Sequence, residues 1–140
     1  MARELATRKV VAIVGDSVFT HGGVRERWAE LGLDRINDQA RRFLTEGGPM
    51  PEALRAPDGP VWDRTFSTDP TPEDCAELRR VLDGLGVKRM VVGHTVQRGG
   101  ITSACDETIW RIDVGMSAHY GGEPAALEID ASGARPVTRE

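Results

Sequence analysis

Two histidines of the chain stand in similar settings that suit the binding of a metal ion. His21 follows a short apolar segment and precedes two glycines, whereas His94 follows another apolar segment and a single glycine. A neutral imidazole nitrogen is a common metal ligand, and glycines leave room for an ion beside the backbone. Each histidine alone is also consistent with an ordinary hydrogen-bonded loop residue, because a single histidine carries little information about a site.

The segments before these histidines are typical of buried strands. Residues 9–14 are rich in valine and isoleucine, and residues 17–20 form a second short segment after the turn Gly15-Asp16, so the two predict a tight hairpin that ends at His21. Residues 88–92 predict another buried strand, which ends just before Gly93. In α/β folds, ligands gather outside the carboxyl ends of strands. Both histidines are therefore expected at positions where a ligand could bind.

The remaining chain alternates helical patterns with short strands. Apolar residues recur at helical spacing from Leu33 to Leu44 and predict an amphipathic helix that ends at Gly47. Thr71, followed by a proline and two acidic residues, predicts the start of a helix that ends near Gly86. The other predicted elements are a helix at residues 2–7 without an entry signal, a helix at 24–31, a loop at 48–61 and strands at 101–105, 108–113 and 125–129.

Composition narrows the class of protein. The chain has 140 residues and a formal net charge of -4, which argues against broad nucleic-acid binding. It contains no apolar run long enough to span a membrane and no secretory signal at its start. Cys75 and Cys105 form no paired metal-binding motif, so we expect reduced thiols in a cytoplasmic protein.

Other catalytic motifs are absent from the sequence or incomplete. Gly15-Asp16-Ser17 resembles the nucleophile block of GDSL-type esterases, but no histidine follows an aspartate at the Asp-x-x-His spacing that those enzymes use. The segment is therefore interpreted as a hairpin turn with Asp16 and Ser17 at turn positions. The chain also has no GxGxxG, no GxxxxGK[ST], no HExxH and no paired-cysteine zinc pattern.

Four short blocks occur together in a fixed order. They are F-x-H-G-G within residues 18–23, W-x-R at 62–64, V-V-G-H-T at 91–95 and I-D-x-G-M-S at 112–117. In this order, over about residues 8–130, the chain resembles the calcineurin-like metallophosphoesterases, in the branch related to Shewanella-like protein phosphatases. Each block alone is a weak signal, whereas the four together are specific.

The resemblance implies an α/β (α+β) fold. Members of the family have a four-layer α/β/β/α sandwich, and this chain would supply its C-terminal half, with about five or six strands and three helices. Residues 1–130 would then form a single partial metallophosphoesterase domain, and residues 131–140 would be a polar, frayed tail.

The resemblance also implies roles for site residues. His21 and His94 would be metal ligands of the same ion and would lie close together. Arg64 would bind the substrate phosphate, although it is equally consistent with an exposed, salt-bridged loop residue. Trp62 and the block at 112–117 would have packing or structural roles, and His119 would be a loop residue without a role. The family uses two divalent metal ions, commonly manganese, iron or zinc, and the resemblance assigns no catalytic residue here.

Several family motifs are missing. The Asp-x-His, Gly-Asp-x-x-Asp-Arg and Gly-Asn-His-Glu (or Gly-Asn-His-Asp) blocks supply most metal ligands in the family, and none is present. We therefore predict that this chain is a fragment of a serine/threonine protein phosphatase-like enzyme, which hydrolyses phosphomonoesters with a two-metal-activated hydroxide. Its substrate would be a phosphorylated protein or small molecule, without nucleic-acid or membrane partners. Little activity is expected of this chain alone.

The alternative is a non-catalytic remnant or interaction module that keeps half of the phosphatase scaffold. Such a module should expose a large apolar face where the missing half would pack. It could self-associate through that face.

Overall fold

The structure, a computed structural model, describes residues 2–138 and is a mixed α/β fold. The predicted fold class is confirmed. The described residues contain five helices and seven strands, compared with the expected three helices and five or six strands, and the additions include the one-turn helix α4 and the C-terminal strand β7. The elements in chain order are α1 (Ala2–Leu5), β1 (Val11–Val14), β2 (Ser17–Thr20), α2 (Glu26–Leu31), α3 (Leu33–Glu46), α4 (Glu52–Arg55), α5 (Pro72–Leu85), β3 (Arg89–Val92), β4 (Thr102–Ala104), β5 (Ile109–Arg111), β6 (Ala125–Asp130) and β7 (Gly133–Thr138).

The main sheet has five strands in the order β1-β2-β3-β5-β4. As predicted, β1 and β2 form an antiparallel hairpin, in which Val14 pairs with Ser17. Strand β3 pairs in parallel with β2 and with β5, and β4 closes the other edge as an antiparallel partner of β5. Because β2 and β3 are parallel neighbours, the chain leaves both strands at the same edge of the sheet.

The core lies between one face of this sheet and the helices. Val18, Met90 and Ile109 are register partners across β2, β3 and β5, and all three are fully buried. They belong to one cluster with Ile36 of α3 and Leu78 of α5. No helix within residues 2–138 combines the length and the apolar character needed to cross a membrane.

Helix α5 begins where the sequence predicts. The Thr71 hydroxyl accepts a hydrogen bond from the Asp74 amide, and the Asp74 carboxylate accepts one from the Thr71 amide. This reciprocal pair satisfies two amides that the first helical turn leaves without partners. The segment at 48–61, expected as a loop, contains the one-turn helix α4.

The expectation of a frayed polar tail is wrong for residues 133–138. This segment forms β7, which pairs antiparallel with β6 from Ala125–Thr138 to Asp130–Gly133. The Asp130 carboxylate accepts hydrogen bonds from the Ser132 amide and hydroxyl, which fixes the tight turn. Arg135 then pairs with both Glu128 and Asp130. These polar contacts stabilise the hairpin, in which Ala125, Leu127 and Ile129 of β6 alternate with more exposed residues.

The prediction of two reduced thiols is wrong as well. Cys75, in the first turns of α5, forms a disulfide with Cys105, and their Cα atoms are 5.3 Å apart. Cys105 lies in the turn between β4 and β5, and that turn packs against the core beneath α5. The fold thus brings together two cysteines whose sequence spacing carries no signature. Since disulfides persist mainly in oxidising compartments, the basis for predicting a cytoplasmic location is removed.

Candidate functional site

The parallel pairing of β2 and β3 places His21 beside His94. Thr20 and Val92 are register partners at the ends of the two strands, and each is followed closely by a histidine. The Gly93 amide donates to the His21 carbonyl over 2.9 Å, which continues the pairing by one more step. The predicted proximity of the histidines is confirmed, because His94 Nδ1 and His21 Nε2 are 2.9 Å apart.

Two glycines let a second loop approach His21. A Cβ atom on Gly22 would lie 2.8 Å from the backbone nitrogen and oxygen of Asp63, and one on Gly23 would lie 2.5 Å from the Asp63 carboxylate. The Gly22 amide and the Thr20 hydroxyl both donate to the Pro60 carbonyl. Side chains at positions 22 and 23 would collide with Asp63. The two glycines therefore allow the loop that carries Asp63 and Arg64 to lie against the loop after His21.

Arg64 reaches the loop that carries His94. Its guanidinium Nη1 is 3.2 Å from the Thr95 hydroxyl oxygen and 3.5 Å from the His94 carbonyl oxygen. Arg64 is exposed and forms no ion pair with any carboxylate of residues 2–138. Of the two interpretations open from the sequence, the salt-bridged loop arginine is not what the structure shows. The guanidinium retains donors for an anion.

The His94 imidazole is held in its neutral form. Burial lowers the pKa of His94 below its usual value, and the charges of Arg64 and His21 lower it further. Its Nε2 atom is buried and has no hydrogen-bond partner among the described residues. His94 also has a positive φ of 66°, which is uncommon for a residue other than glycine. A neutral imidazole on a strained backbone is typical of a functional position.

Asp63, to which the sequence assigns no role, connects the two loops. The residue is 2% exposed, and one carboxylate oxygen accepts from the Thr65 hydroxyl over 2.9 Å. Arg25 lies 3.7 Å from the same oxygen. Burial raises the pKa of Asp63 above its usual value, although the hydrogen bond from Thr65 opposes that shift. The one sequence feature that could have indicated a role for Asp63 is its position between Trp62 and Arg64 in the W-x-R block.

Trp62 forms a wall of the site and is not a buried packing residue. It is 51% exposed, and its indole N–H donates to the Leu54 carbonyl over 2.9 Å. The ring meets the His94 ring edge-on, with centroids 5.8 Å apart. Trp62, Arg64 and His94 line an open cavity of about 580 Å³, which Arg55 also lines.

The block at 112–117 supports the loop that follows His94. The Asp113 carbonyl accepts from the Gln97 amide over 2.7 Å, and the Ile112 amide donates to Val92 at the end of β3. Gly115 has a positive φ of 61° and turns the chain beneath Val96. His119 packs against Tyr120, away from the histidine pair described above. These contacts give the block a structural position next to the site.

The two histidines have the chemistry of a partial metal site. Two nitrogens bound to one tetrahedral zinc ion, with bonds of about 2.0–2.1 Å, would be roughly 3.3 Å apart. The 2.9 Å separation of His94 Nδ1 and His21 Nε2 is a hydrogen-bond distance, and a small shift of the rings would let both nitrogens bind one ion. No group of three or more histidine, cysteine or carboxylate side chains with metal-site geometry occurs within residues 2–138. These residues therefore fit an ion but do not complete its coordination.

The chain is similar to known protein phosphatases. It is 44% identical to Shewanella-like protein phosphatase 2 of Arabidopsis thaliana over 97% of this chain and 37% of that protein. It is 33% identical to Shewanella-like protein phosphatase 1 of Plasmodium berghei over 84% of this chain and 36% of that protein. The resemblance inferred from the sequence blocks is confirmed, and the chain spans little more than a third of these relatives.

Solved structures give the same fold. The cold-active protein-tyrosine phosphatase of a psychrophilic Shewanella species superposes with a TM-score of 0.80 at 22% identity, over 96% of this chain and 41% of that one. At this identity the likeness concerns the fold alone. A comparison with models of known protein families found no match.

Proposed function

We propose that this chain, a relative of the Shewanella-like protein phosphatases, is part of a metal-dependent phosphoesterase that hydrolyses phosphomonoesters. Its contribution would be His21 and His94 as ligands of a divalent ion and Arg64 as a phosphate-binding residue. The observation that carries the proposal is the 2.9 Å approach of the two imidazole nitrogens beside an arginine that has no carboxylate partner within residues 2–138.

The ligand role of the histidines rests on the placement of both rings and on the protonation state of His94. Burial keeps the pKa of His94 below its usual value, so its lone pair is available at neutral pH. His21 and His94 would hold a manganese, iron or zinc ion through imidazole nitrogens. When bound, a pair of divalent ions supplies Lewis acidity and lowers the pKa of a coordinated water, which then becomes a nucleophile.

Arg64 would hold the phosphate beside the ion. A planar guanidinium can donate to two phosphate oxygens at once, and it balances negative charge that develops on them during hydrolysis. The Thr95 hydroxyl, 3.2 Å from Arg64 Nη1, holds the guanidinium next to His94. The substrate would be a phosphorylated protein or small molecule.

Further ligands would have to come from outside this chain. A two-metal site requires carboxylate ligands, and the bridging carboxylate of the family is among the missing motifs. We therefore propose that the two histidines are one side of a site that a further segment completes, and that the 140-residue chain has little turnover by itself. The alternative remains an interaction module that keeps the scaffold without chemistry.

Metal titration tests the ligand assignment. Calorimetry with Mn²⁺ and Zn²⁺ should detect binding to the chain, and His21→Ala and His94→Ala should each weaken it at least about tenfold, since each removes one of two ligands. His119→Ala, which removes the histidine outside the pair, is the matched control and should bind as the parent does. Equal weakening by all three variants, or no binding to the parent, would contradict the proposal and favour the interaction module.

Turnover tests the incomplete site. The purified chain with Mn²⁺ and a chromogenic phosphomonoester should show no more than slight hydrolysis. Robust hydrolysis that His94→Ala abolishes would show that the chain itself completes the site, contrary to the proposed need for further ligands.

A further inference from the structure

We propose that Arg55 binds a second anionic group of the substrate, next to the phosphate held by Arg64. The inference rests on the proposed function and names a class of substrate for it: a phosphate ester that carries another negative charge close by. Arg55 lies at the end of α4 and lines the same cavity as Arg64, Trp62 and His94.

The position of Arg55 is fixed by the packing of α4. Ala53, in the same short helix, is 1% exposed, and a Cβ atom on Gly59 would lie 2.5 Å from the Ala53 carbonyl oxygen. The Trp62 indole donates to the carbonyl of Leu54, the residue before Arg55. This hydrogen bond holds the backbone next to Arg55 against Trp62, which lines the cavity. It therefore limits how far the Arg55 guanidinium can move from the cavity.

The acidic residues of the cavity are already paired. Asp58 accepts from Arg27 through both of its carboxylate oxygens. Asp63 accepts from Thr65 and lies within 3.7 Å of Arg25. Both carboxylate oxygens of Asp58 are therefore occupied. Asp63 Oδ2 is buried and has no hydrogen-bond partner among residues 2–138, and Asp63 forms no ion pair with Arg55 or Arg64.

The basic residues divide into two groups. Arg25 donates to Glu77 from Nε and Nη2 and to Thr65 from Nη1, so its guanidinium is occupied. Arg55 and Arg64, in contrast, form no ion pair with any carboxylate of residues 2–138. The cavity thus presents two uncompensated positive charges on a chain whose net charge is -4.

The size of the cavity fits a ligand with two anionic groups. Its volume of about 580 Å³ exceeds what one phosphate group requires and falls within the range of roughly 300–1,000 Å³ that is usual for ligand pockets. A guanidinium binds carboxylates and phosphates through the same paired donors. The second group could therefore be an acidic side chain beside the phosphorylated residue of a peptide, or a second phosphate on a small molecule.

Binding measurements with matched probes test the inference. Trp62 is 51% exposed at the cavity, whereas Trp28 and Trp110 are 4% exposed, so quenching of tryptophan fluorescence should report on this site. One pair of probes is a phosphoserine peptide with glutamate or with glutamine on both sides of the phosphoserine. The other pair is fructose 1,6-bisphosphate and fructose 6-phosphate. All titrations contain the same concentration of Mn²⁺.

The expected result is a preference that depends on Arg55. The parent chain should bind the probe with the second charge about 3- to 10-fold more tightly in at least one pair. Arg55→Gln should abolish that preference, with at most a small loss of affinity for the probe that lacks the second anionic group. Arg42→Gln removes an equal charge from an exposed position on α3 and should keep the preference. A preference limited to the peptide pair identifies an acidic phosphopeptide, and one limited to the sugar pair identifies a bisphosphate.

Two other results separate this inference from the proposed function. If Arg64→Gln weakens all probes but the parent shows no preference, or Arg55→Gln keeps it, the inference is overturned and the phosphate site at Arg64 stands. If no probe binds, or Arg64→Gln leaves all affinities unchanged, the phosphate site is wrong and the inference falls with it.

Discussion

His21 and His94 are separated by 73 positions in the chain, yet their ring nitrogens Nε2 and Nδ1 are 2.9 Å apart. The parallel pairing of β2 with β3 creates this relationship, because it aligns Thr20 with Val92 and brings both chain segments out at one edge of the sheet. The contact between the two histidines depends on the backbone conformation of His94 and on the close packing of Gly22 and Gly23 against Asp63. Measurements of stability test each of these features without an assay of hydrolysis.

The positive φ of His94 predicts an unusual order of stability among substitutions. At a φ of 66°, His94→Gly should be more stable than His94→Ala by about 1 kcal/mol, because only glycine avoids the Cβ clash of the left-handed region. Urea denaturation measures the difference. At His21, which has no positive φ, alanine should be at least as stable as glycine. The same order at both positions would contradict the assigned backbone strain.

Substitution by alanine should lower the stability of the chain at Gly23 and raise it at Gly84. Gly23→Ala would place a Cβ atom 2.5 Å from the Asp63 carboxylate and 2.9 Å from the Phe66 ring, and we expect a loss of about 2 kcal/mol in the free energy of unfolding. Gly84→Ala, in α5 with no atom within 4 Å, should instead stabilise the chain, by about 0.5–1 kcal/mol. Thermal and urea unfolding of the two variants compare these effects. Equal stability of the two would show that the loop has room at Gly23.

The Arg25–Glu77 pair predicts a pH dependence of stability. Hydrogen bonds from Arg25 lower the pKa of Glu77 below its usual value of 4.5. The folded state therefore favours the ionised carboxylate, and this stabilisation is complete above that usual value. It is lost as the pH falls through the lowered pKa of the folded state. Glu77→Gln should cost about 2 kcal/mol at pH 7, and the difference from the parent should shrink in acid.

Denaturation curves between pH 7 and about pH 3 measure that difference. Glu46→Gln, at an exposed position on α3, is the control and should follow the parent at every pH. A constant difference between parent and Glu77→Gln would argue against ionisation of Glu77 as the source of the effect.

The disulfide predicts a dependence of stability on reduction. The bond closes a loop between Cys75 and Cys105, a sequence separation of 30, and for such a loop we expect a contribution of about 3–4 kcal/mol. Mass spectrometry after alkylation should find no free thiol in the oxidised chain. Dithiothreitol should lower the unfolding midpoint of the parent but not that of the double variant Cys75→Ala/Cys105→Ala. An equal midpoint with and without reductant would contradict the bond.

The candidate site was predictable only in part. The positions of His21, Arg64 and His94 stood out because they belong to short blocks whose order is recognisable. Asp63 could not be singled out in this way, because its role depends on its burial and on its distance to Gly23. Local sequence predicts neither property. The same holds for Trp62, which was expected to be a packing residue and forms an exposed wall of the cavity.

Sequence by itself determined the local elements. The hairpin of β1 and β2 follows from apolar residues on either side of Gly15-Asp16, and the start of α5 follows from the capping pair Thr71 and Asp74. Local patterns suffice there because the interactions join residues within a few positions of one another. The two histidines could likewise be placed just beyond strand ends.

Tertiary structure alone decided which distant residues meet. The register of β2 against β3 and the bond between Cys75 and Cys105 both depend on contacts that no local pattern encodes. Folding selects these contacts through burial of the shared core and pairing of backbone groups across the sheet, and those free energies belong to the whole chain. The sequence therefore supplies the two histidines, and the sheet brings them together.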